Sequence, residues 1–472
     1  MSEKTHDLII IGAGPGGYRA AFMAADLGLN VTLIDPELNP GGVCLYRGCI
    51  PTKALLHLAK IKTDAEHAGD LGIKFSAPQI DIEKVIDWKN KVVKQLTGGL
   101  GQLIKARKIN YIRGRVKFVS SNTLELVSEK DNKEEITFEK AIIATGAKPA
   151  TLPGIDIESE HLLNSEKALD LKEIPKKMLI IGAGYIGLEM ATIYQALGSE
   201  VSVVELTKDF MPGMDTDLVA EYKKANKDFF KDVLLETRVE EIKEQGKQLE
   251  VSFKDKDDKS FKKKYDKVLV AVGQKPNSGN LGLENTNIEQ DEKGFIKVNK
   301  KQQTNNENIF AIGDIAGQPL LAHKASYEGV VAVEAITGKK AALNDAKVIP
   351  AVVYTEPEIA TCGLSEKEAK EKNIDYKIVK FPWVASGRAV AMNEKNGFTK
   401  LLIDKENERV LGAGIVGRNA GDMISELALA IEMAATAEDI ARTIHPHPTL
   451  AETIMESAEM FYGHGAHVFT KK

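Results

Sequence analysis

No stretch of the sequence is apolar for long enough to cross a lipid bilayer, since a membrane-spanning helix needs about 20 such residues. The N-terminal residues lack the features of a signal or transit peptide. There is no excess of basic residues either, because 63 Lys and Arg accompany 68 Asp and Glu, for a net charge of −5. These absences argue against a membrane protein and against nucleic acid as a default partner. We expect a cytoplasmic protein, most simply a bacterial one.

Cysteine is also scarce, with three residues in a chain of 472. In a reducing compartment a disulfide is more often catalytic than structural. Cys362 stands alone in an apolar segment, which predicts a core residue, because a buried free cysteine packs as a small hydrophobic side chain. Cys44 and Cys49 lie close together in the sequence, and they carry the first functional hypothesis.

The segment from Gly41 to Lys53 contains both of these cysteines. A regular helix would put positions i and i+5 on different faces, so we expect an irregular turn at Cys44, allowed by the neighbouring glycines. A disulfide closing so small a loop stabilises a fold weakly. A reactive dithiol is therefore favoured over two unrelated buried thiols. Cys49 precedes a predicted helix and lies four residues before Lys53, which should favour its thiolate.

A dinucleotide-binding pattern opens the chain. A buried strand (residues 8–11) leads into a glycine-rich turn with Gly12, Gly14 and Gly17, then a helix, then a second strand that ends at Asp35. The glycines allow a pyrophosphate to approach the helix N-terminus, and the acid binds a ribose hydroxyl. The intact order of strand, turn, helix and acid makes this pattern more specific than its glycines alone.

The same unit recurs with a constant offset of 170 residues. Gly182, Gly184 and Gly187 match the first three glycines, and Glu205 matches Asp35. Two such units predict two dinucleotides, FAD beside the cysteines and NAD or NADP in the second unit. An acid at this strand end favours a free 2′-hydroxyl, and the residues after Glu205 offer no Arg for a 2′-phosphate, so we expect NAD.

The C-terminal part has a different pattern. Short strands after residue 347 predict an antiparallel sheet, and residues 423–444 predict one long helix or two. Near the end, His447 and Glu452 are five residues apart, so the carboxylate reaches the imidazole if a helix starts after Pro448. A histidine oriented by a carboxylate is a general-base arrangement, although a structural histidine beside an unrelated acid is commoner. The neighbouring Pro446 makes His445 the weaker candidate for this role.

Together these motifs resemble the FAD-dependent pyridine nucleotide-disulfide oxidoreductases, in order and over the whole chain. Tyr46 and Arg47 stand where Asn and Val are more usual. The resemblance implies an α/β fold of two Rossmann-type dinucleotide-binding domains and a C-terminal α+β dimerisation domain. It implies an FAD-binding domain (1–150), an NAD-binding domain (151–276), a central segment that returns to the FAD domain (277–346) and the dimerisation domain (347–472).

The resemblance also implies roles for individual residues. Cys44 and Cys49 would form the redox-active disulfide, His447 of one subunit would act as base on the disulfide of the other, and Glu452 would orient it. No metal is implied. Lys53 is expected to pair with Glu189 near the flavin. The residues expected to bind the cofactors are Gly12, Gly14, Gly17, Asp35, Gly42, Lys53, Val116, Thr145, Gly146, Asp314, Ala322, Gly182, Gly184, Gly187, Glu189, Glu205, Val239, Ala271 and Gly273.

Within this family, several segments are similar to the dihydrolipoamide dehydrogenases, among them residues 95–100, 354–358 and 381–389. This likeness implies that electrons pass from protein-bound dihydrolipoamide through the cysteine pair and one non-covalent FAD per subunit to NAD⁺. It implies a homodimer whose partners are the lipoyl domains and the peripheral subunit-binding domain of a dihydrolipoamide acyltransferase. Two alternatives remain open: a glutathione-type reductase of the same family, and a non-catalytic docking subunit.

Overall fold

A computed structural model describes residues 5–155, 157–339 and 342–469. Among these residues, no helix combines the length and the apolar character that crossing a bilayer requires. The described chain contains a six-stranded, mostly parallel sheet, a five-stranded parallel sheet, a five-stranded antiparallel sheet and two smaller antiparallel sheets. The predicted α/β fold class is confirmed.

The first part of the chain alternates strands with helices. Its strands are β1 (Thr5–Ile11), β2 (Val31–Asp35), β3 (Asn110–Phe118), β4 (Thr123–Ser128), β5 (Lys133–Ile143) and β6 (Ala147–Pro149). Its helices are α1 (Pro15–Asp26), α2 (Gly42–Arg47), α3 (Cys49–His67) and α4 (Ile82–Ala106), with a short 3₁₀ turn at Ala68–Leu71.

The second part repeats this alternation and adds a meander. Its strands are β7 (Leu162–Asn164), β8 (Lys177–Ile181), β9 (Glu200–Val204), β10 (Asp232–Leu234), β11 (Arg238–Gln245), β12 (Gln248–Lys254), β13 (Ser260–Tyr265), β14 (Lys267–Val270) and β15 (Gln274–Pro276). Its helices are α5 (Ser165–Ala168), α6 (Tyr185–Ala196) and α7 (Thr216–Ala225).

The remaining chain returns to the first sheet and then forms the third. Its strands are β16 (Ile309–Ala311), β17 (Ala351–Val353), β18 (Glu358–Gly363), β19 (Tyr376–Pro382), β20 (Phe398–Asp404) and β21 (Val410–Gly417). Its helices are α8 (Ala322–Ile336), α9 (Glu366–Glu371), α10 (Gly387–Ala391), α11 (Ala420–Glu432), α12 (Ala437–Arg442) and α13 (Glu452–Phe461), with 3₁₀ turns at Leu283–Asn285, Gly313–Ile315 and Trp383–Ala385.

In the first two sheets the central strands, such as β2 and β8, are buried on both faces, as their continuous apolar sequences require. In the first, the order is β3-β2-β1-β5-β16, and β4 joins β3 to β5 as an antiparallel meander. In the second, the order is β10-β9-β8-β14-β7. The two glycine turns follow the central strands β1 and β8, so each lies at the carboxyl edge of its sheet, where ligands of such sheets bind.

The third sheet has the antiparallel order β17-β18-β21-β20-β19, which matches the prediction for the C-terminal part. Residues 423–444 contain parts of two helices, α11 and α12, rather than one. Cys362 is buried in the core beneath this sheet, as predicted, and burial raises the pKa of its thiol to about 12. A thiol held protonated in this way is inert at neutral pH.

Candidate functional site

The two neighbouring cysteines lie in two consecutive helices. Cys44 lies inside α2, and Cys49 is the first residue of α3. The expected irregular turn at Cys44 is wrong, because Cys44 is helical and only Gly48, with φ −143° and ψ −115°, breaks the helix between them. The structure contains both cysteines as free thiols, which is the reduced form of the predicted disulfide.

The two thiols are electrostatically unequal. A hydrogen bond with Cys44 lowers the pKa of Cys49 to about 7, and the positive charge of Lys53 acts in the same direction. The same hydrogen bond, together with burial, raises the pKa of Cys44 far above its usual value. Cys44 therefore acts as the donor and Cys49 as the acceptor, so Cys49 is the thiol of the pair that ionises first.

Lys53 connects the cysteine helix to the second parallel sheet. Its ammonium Nζ lies 3.1 and 2.9 Å from the two carboxylate oxygens of Glu189, on α6. The predicted pair is thus present, and Glu189 is almost completely buried, with 3% of its side chain exposed. Tyr354, which sequence reasoning did not connect with this pair, donates its backbone N–H to Glu189 Oε1 at 3.0 Å. Its ring lies 4.5 Å from Lys53 Nζ.

Two glycines of the first turn, Gly12 and Gly17, have no room for a side chain. A Cβ at Gly12, where φ is +99°, would lie 2.4 Å from the carbonyl oxygen of Ala144. A Cβ at Gly17 would lie 1.9 Å from the carbonyl oxygen of Gly12. Gly42, with φ +57°, contacts the same turn, since its Cβ would lie 2.6 Å from the Cα of Gly14. The glycines therefore bring the start of the cysteine segment against the nucleotide turn.

Asp35 and Glu205 make equivalent hydrogen bonds in the two repeats. Asp35 accepts the backbone N–H of Ala13 at 2.7 Å and that of Glu37 at 2.9 Å. Glu205 accepts from Ala183 and from Thr207, both at 2.8 Å. Each donor differs from its counterpart by the same 170 positions as the glycines. Burial raises the pKa of Asp35. The carboxylates thus shape both turns in addition to any ribose that they bind.

The glycines of the second turn repeat this geometry in part. A Cβ at Gly182, where φ is +103°, would lie 2.5 Å from the carbonyl oxygen of Ala271, and one at Gly187 would lie 2.1 Å from that of Gly182. Gly184 differs from Gly14, because no atom lies within 4 Å of its Cβ position. The second turn is therefore open at the point where the cysteine segment contacts the first.

Several other predicted cofactor residues lie at strand ends or helix starts. Asn277 donates its backbone N–H to the Gly146 carbonyl at 2.9 Å and accepts from the Thr145 hydroxyl through its own carbonyl at 3.2 Å. Asp314 is partly buried, which raises its pKa, and its charge acts on Cys44. Ala322 is the first residue of α8.

Four more residues were predicted to bind the cofactors: Ala271, Gly273 and Val239 in the second unit, and Val116 in the first. Ala271 donates its N–H to Ile181 O at 2.8 Å, directly below the second turn, and Gly273 has φ +124°. Val116 and Val239 are not brought to either turn by their side chains. Val116 packs in the core of the first sheet, and Val239 packs against the core near the three-stranded meander.

His447 and Glu452 are in contact at the start of α13. His447 Nδ1 lies 2.9 Å from Glu452 Oε1, while Glu452 Oε2 accepts the N–H of Thr449 at 2.7 Å. Burial favours the neutral form of the Glu452 carboxyl, but the hydrogen bonds from Thr449 and His447 outweigh it and lower the pKa of Glu452. The peptide bond before Pro448 is cis. His447 is 76% exposed, and within the described chain no hydrogen bond joins it to either cysteine.

His445, the weaker candidate, points the other way. Its side chain is 4% exposed, and its Nε2 lies 2.8 Å from Glu426 Oε1 on α11. Its Nδ1 lies 2.8 Å from the carbonyl oxygen of Thr443. Both ring nitrogens are therefore engaged, which leaves none for a substrate. His445 and His447 are two residues apart, and this spacing alone does not indicate that their side chains point in opposite directions.

One acidic cluster could suggest a metal site but is explained by a lysine. Asp215, Asp217 and Glu366 place carboxylate oxygens within 4.8 Å of one another. The fully buried Lys400 lies among them, with Nζ at 2.6, 2.9 and 3.1 Å from the three carboxylates. The cluster is a set of ion pairs between the second unit and the third sheet.

The residues at the two glycine turns fit dinucleotides. At both turns the helix N-cap is a glycine, Gly14 or Gly184, with no atom closer than 4.0 Å to its Cβ position, and neither helix has a side-chain cap. Bare N–H groups at a helix start favour phosphate. Helix α2, which contains Cys44, lies beside the first turn, and this placement suits a bound group that exchanges electrons with thiols.

Comparison with known proteins gives two family matches that together span most of the chain. Residues 6–329 match the pyridine nucleotide-disulphide oxidoreductase family. Residues 349–458 match the pyridine nucleotide-disulphide oxidoreductase dimerisation domain.

Individual relatives agree with these matches. The chain is 49% identical to a dihydrolipoyl dehydrogenase of Vibrio cholerae, covering 98% of this chain and 96% of that protein. It is 45% identical to a dihydrolipoyl dehydrogenase of Bacillus subtilis, with 98% and 97% covered. Among solved structures, the flavoprotein disulfide reductase RclA of Escherichia coli is similar, with a TM-score of 0.86, 27% identity, and 96% and 100% covered.

Proposed function

The chain belongs to the pyridine nucleotide-disulphide oxidoreductase family, and from this premise we propose that it oxidises protein-bound dihydrolipoamide and reduces NAD⁺. It is an oxidoreductase whose family uses a flavin and a nicotinamide nucleotide. The relatives from Vibrio and Bacillus, named dihydrolipoyl dehydrogenases and similar over nearly their whole length, support the choice of substrate.

The placement of the cysteine pair against the first nucleotide turn, where Gly42 contacts Gly14, is the observation that carries the proposal. In thiol–disulfide exchange, the thiol with the lower pKa is the better leaving group. Cys49, whose pKa is lowered to about 7, should therefore leave when the disulfide is opened. A substrate thiolate should then attack Cys44. The two sulfurs thus have different roles, exchange with substrate for Cys44 and acceptance of charge for Cys49.

The exchange balances without any other reagent. One thiolate of dihydrolipoamide attacks Cys44, forming a mixed disulfide and releasing Cys49 as thiolate. The second substrate thiolate attacks the substrate sulfur of the mixed disulfide, which releases Cys44 and leaves lipoamide as a cyclic disulfide. The two electrons remain on the cysteine sulfurs, and the two substrate protons are taken up by protein groups or pass to solvent.

His447 is proposed as the base that accepts a substrate proton. Its Nδ1 is engaged by Glu452, so Nε2 is the nitrogen that faces the substrate. The dimerisation domain supports a homodimer. Because His447 is exposed and makes no contact with the cysteines of its own chain among the described residues, we infer that it serves the disulfide of a second copy. A monomer would then be inactive.

The two turns are the proposed cofactor sites, with one non-covalent FAD at Gly12, Gly14, Gly17 and Asp35, and NAD at Gly182, Gly184, Gly187 and Glu205. When bound, FAD supplies a two-electron carrier between the dithiol and NAD⁺. The other predicted residues are proposed to line these two sites: Gly42, Lys53, Val116, Thr145, Gly146, Asp314, Ala322, Glu189, Val239, Ala271 and Gly273. Val116 and Val239 would contribute through their backbone.

In this proposal residues 1–150 bind FAD and residues 151–276 bind NAD. Residues 277–346 return to the FAD domain, and residues 347–472 form the dimer. It places the enzyme in the cytoplasm. Its partners would be the lipoyl domains and the peripheral subunit-binding domain of an acyltransferase in a 2-oxo acid dehydrogenase complex.

A comparison of substrates tests this proposal. The purified protein, loaded with FAD, is assayed with NADH and lipoamide and with NADPH and oxidised glutathione. We expect turnover with the first pair and little with the second. Turnover with glutathione instead would support a glutathione-type reductase. Binding to the acyltransferase domain without turnover of either pair would support a docking subunit.

A further inference from the structure

Tyr354 is the residue through which the third sheet contacts the Lys53–Glu189 pair. It follows β17 directly, so its backbone is fixed by that sheet. Its N–H donates to Glu189 Oε1 at 3.0 Å, and its ring centroid lies 4.5 Å from Lys53 Nζ. A lysine ammonium within about 6 Å of an aromatic ring is attracted to the ring face. Tyr354 therefore contacts both members of the pair by different means.

The Lys53 ammonium needs such a contact to stay in place. A lysine side chain has a flexible four-carbon stem and carries a point charge. Glu189 is held by the backbone of Tyr354 and is almost completely buried, whereas a third of the Lys53 side chain is exposed. The Tyr354 ring, with its centroid 4.5 Å from Nζ, is a second contact for the ammonium beside Glu189.

The position of this ammonium determines the charge that Cys49 experiences. Lys53 stabilises the Cys49 thiolate, whereas Glu189 destabilises it. If the ammonium moved out to solvent, its stabilising effect on the thiolate would be lost while the opposing effect of the Glu189 carboxylate remained. Cys49 and Lys53 lie four residues apart on α3, so a small change at Nζ alters the balance at the sulfur.

We propose that Tyr354 is a positioning residue whose ring holds the Lys53 ammonium in its contact with Glu189, one helical turn from Cys49 on α3, so that Cys49 leaves as a thiolate during disulfide exchange. This inference rests on the proposed function, because it concerns the leaving role of Cys49. The positioning role belongs to the Tyr354 ring and not to its hydroxyl.

Two substitutions separate the ring from the rest of the residue. Tyr354→Phe keeps the ring and removes the hydroxyl, and Tyr354→Leu removes the ring. Both keep the backbone N–H that binds Glu189. Tyr327→Leu is a matched control, because Tyr327 is exposed to the same extent, 38%, and its hydroxyl contacts Asp345 rather than the site. Tyr354→Met is a second ring-free variant if Tyr354→Leu does not fold.

The measurement is the rate of Cys49 alkylation by iodoacetamide between pH 5 and 9, with the modified cysteine identified by peptide mapping. The protein is the FAD-loaded chain, reduced with a phosphine that is removed before alkylation. Thiolates alone react, so the midpoint of the curve follows ionisation of Cys49. The groups that also act on Cys49 are unchanged in every variant: Cys44, Lys53, Glu189, Tyr18 and Tyr185.

We expect the wild type, Tyr354→Phe and Tyr327→Leu to share one midpoint, and the ring-free variants to shift upward by about half a pH unit or more. An unshifted Tyr354→Leu would overturn the proposal, since the ring would then only pack. A shift in Tyr354→Phe equal to that in Tyr354→Leu would overturn it as well, because the hydroxyl would be responsible. Alkylation requires no lipoamide, so failure of the proposed function appears separately, as absent lipoamide turnover by the wild type.

Discussion

His447 Nδ1 and Glu452 Oε1 lie 2.9 Å apart, and this contact fixes which ring nitrogen is available to a substrate. The second oxygen of Glu452 is held by the Thr449 N–H, so the carboxylate cannot rotate freely. The arrangement leaves Nε2 of an exposed imidazole pointing away from its own orienting acid. This geometry suits a base that accepts a proton from a group outside the segment that contains His447 and Glu452.

Removing the charge of Glu452 should therefore slow turnover without unfolding the protein. In Glu452→Gln the imidazole loses its charged partner and its fixed tautomer, and kcat should fall by about 10- to 100-fold, compared with about 10²–10⁴-fold for His447→Gln. Steady-state oxidation of dihydrolipoamide measures both. Glu459→Gln is the control, because Glu459 lies on the same helix without contacting His447. Equal rates in Glu452→Gln and wild type would show that the contact is only structural.

Mixing two inactive variants tests whether the base serves a second copy. Cys44→Ser and His447→Gln homodimers are dissociated together and allowed to reassociate. If His447 acts across the dimer, each mixed dimer has one intact site, and random pairing should restore about a quarter of wild-type activity. A mixture that stays inactive, while each variant reassociates normally by size-exclusion chromatography, would place the base and the cysteines in one chain.

The buried Lys400 should be important for stability. Lys400→Met removes the buried cation that joins Asp215, Asp217 and Glu366, although Lys380 still pairs with Asp217, and this should cost about 3–5 kcal/mol at pH 7. Lys405→Met is the control, because Lys405 is half exposed and its one acidic partner within the described part of the chain is Asp375, so its loss should cost less than about 1 kcal/mol. Urea unfolding of both variants and the wild type provides the comparison.

The cost of Lys400→Met should also depend on pH. Despite burial, hydrogen bonds from Lys380 and Lys400 lower the pKa of Asp217, so its contribution is present above the unfolded value of 3.8 and is lost as the pH falls through the folded value. Hydrogen bonds to Asp215 and Asp217 raise the pKa of Lys400, so its contribution is lost only in alkaline solution, above 10.5. The difference between variant and wild type should thus be largest near neutrality and shrink in acid. A difference independent of pH would contradict this account.

Gly42→Ala should separate the cysteine segment from the first turn. The new Cβ would lie 2.6 Å from Gly14 Cα, and φ is +57°, so backbone must move. We expect weaker retention of FAD, measured as flavin absorbance after gel filtration. Gly98→Ala is the control, because Gly98 lies inside α4 with no atom within 4 Å of its Cβ position, and alanine there should stabilise the helix by about 1 kcal/mol. Full flavin content in Gly42→Ala would show that this contact is not needed.

Contacts set by local spacing could be predicted from the sequence. The offset of 170 residues predicted equivalent turns, and Asp35 and Glu205 do accept equivalent N–H groups. The spacing of five residues brought Glu452 to His447 once α13 began after the proline. In both cases strand or helix geometry over a few residues determines the distance.

Contacts between distant segments could not be predicted in this way. Lys400 and its partners Asp215 and Asp217 are more than 180 residues apart, and no periodic pattern connects them. The approach of Tyr354 to Lys53 depends on how the third sheet packs against two helices. The prediction of an irregular turn at Cys44 was wrong for a local reason. The neighbouring glycines indicated a loop, whereas Gly48 is the residue that separates helices α2 and α3.

The central claim is that Cys44 exchanges electrons with dihydrolipoamide, and the rate of NADH formation from dihydrolipoamide and NAD⁺ tests it most directly. The comparison is between FAD-loaded wild type, Cys44→Ser and Cys362→Ser, the last removing a buried thiol far from the pair in sequence. We predict that the wild type and Cys362→Ser turn over at similar rates and that Cys44→Ser is inactive. A Cys44→Ser protein that still formed NADH at the wild-type rate would contradict the account.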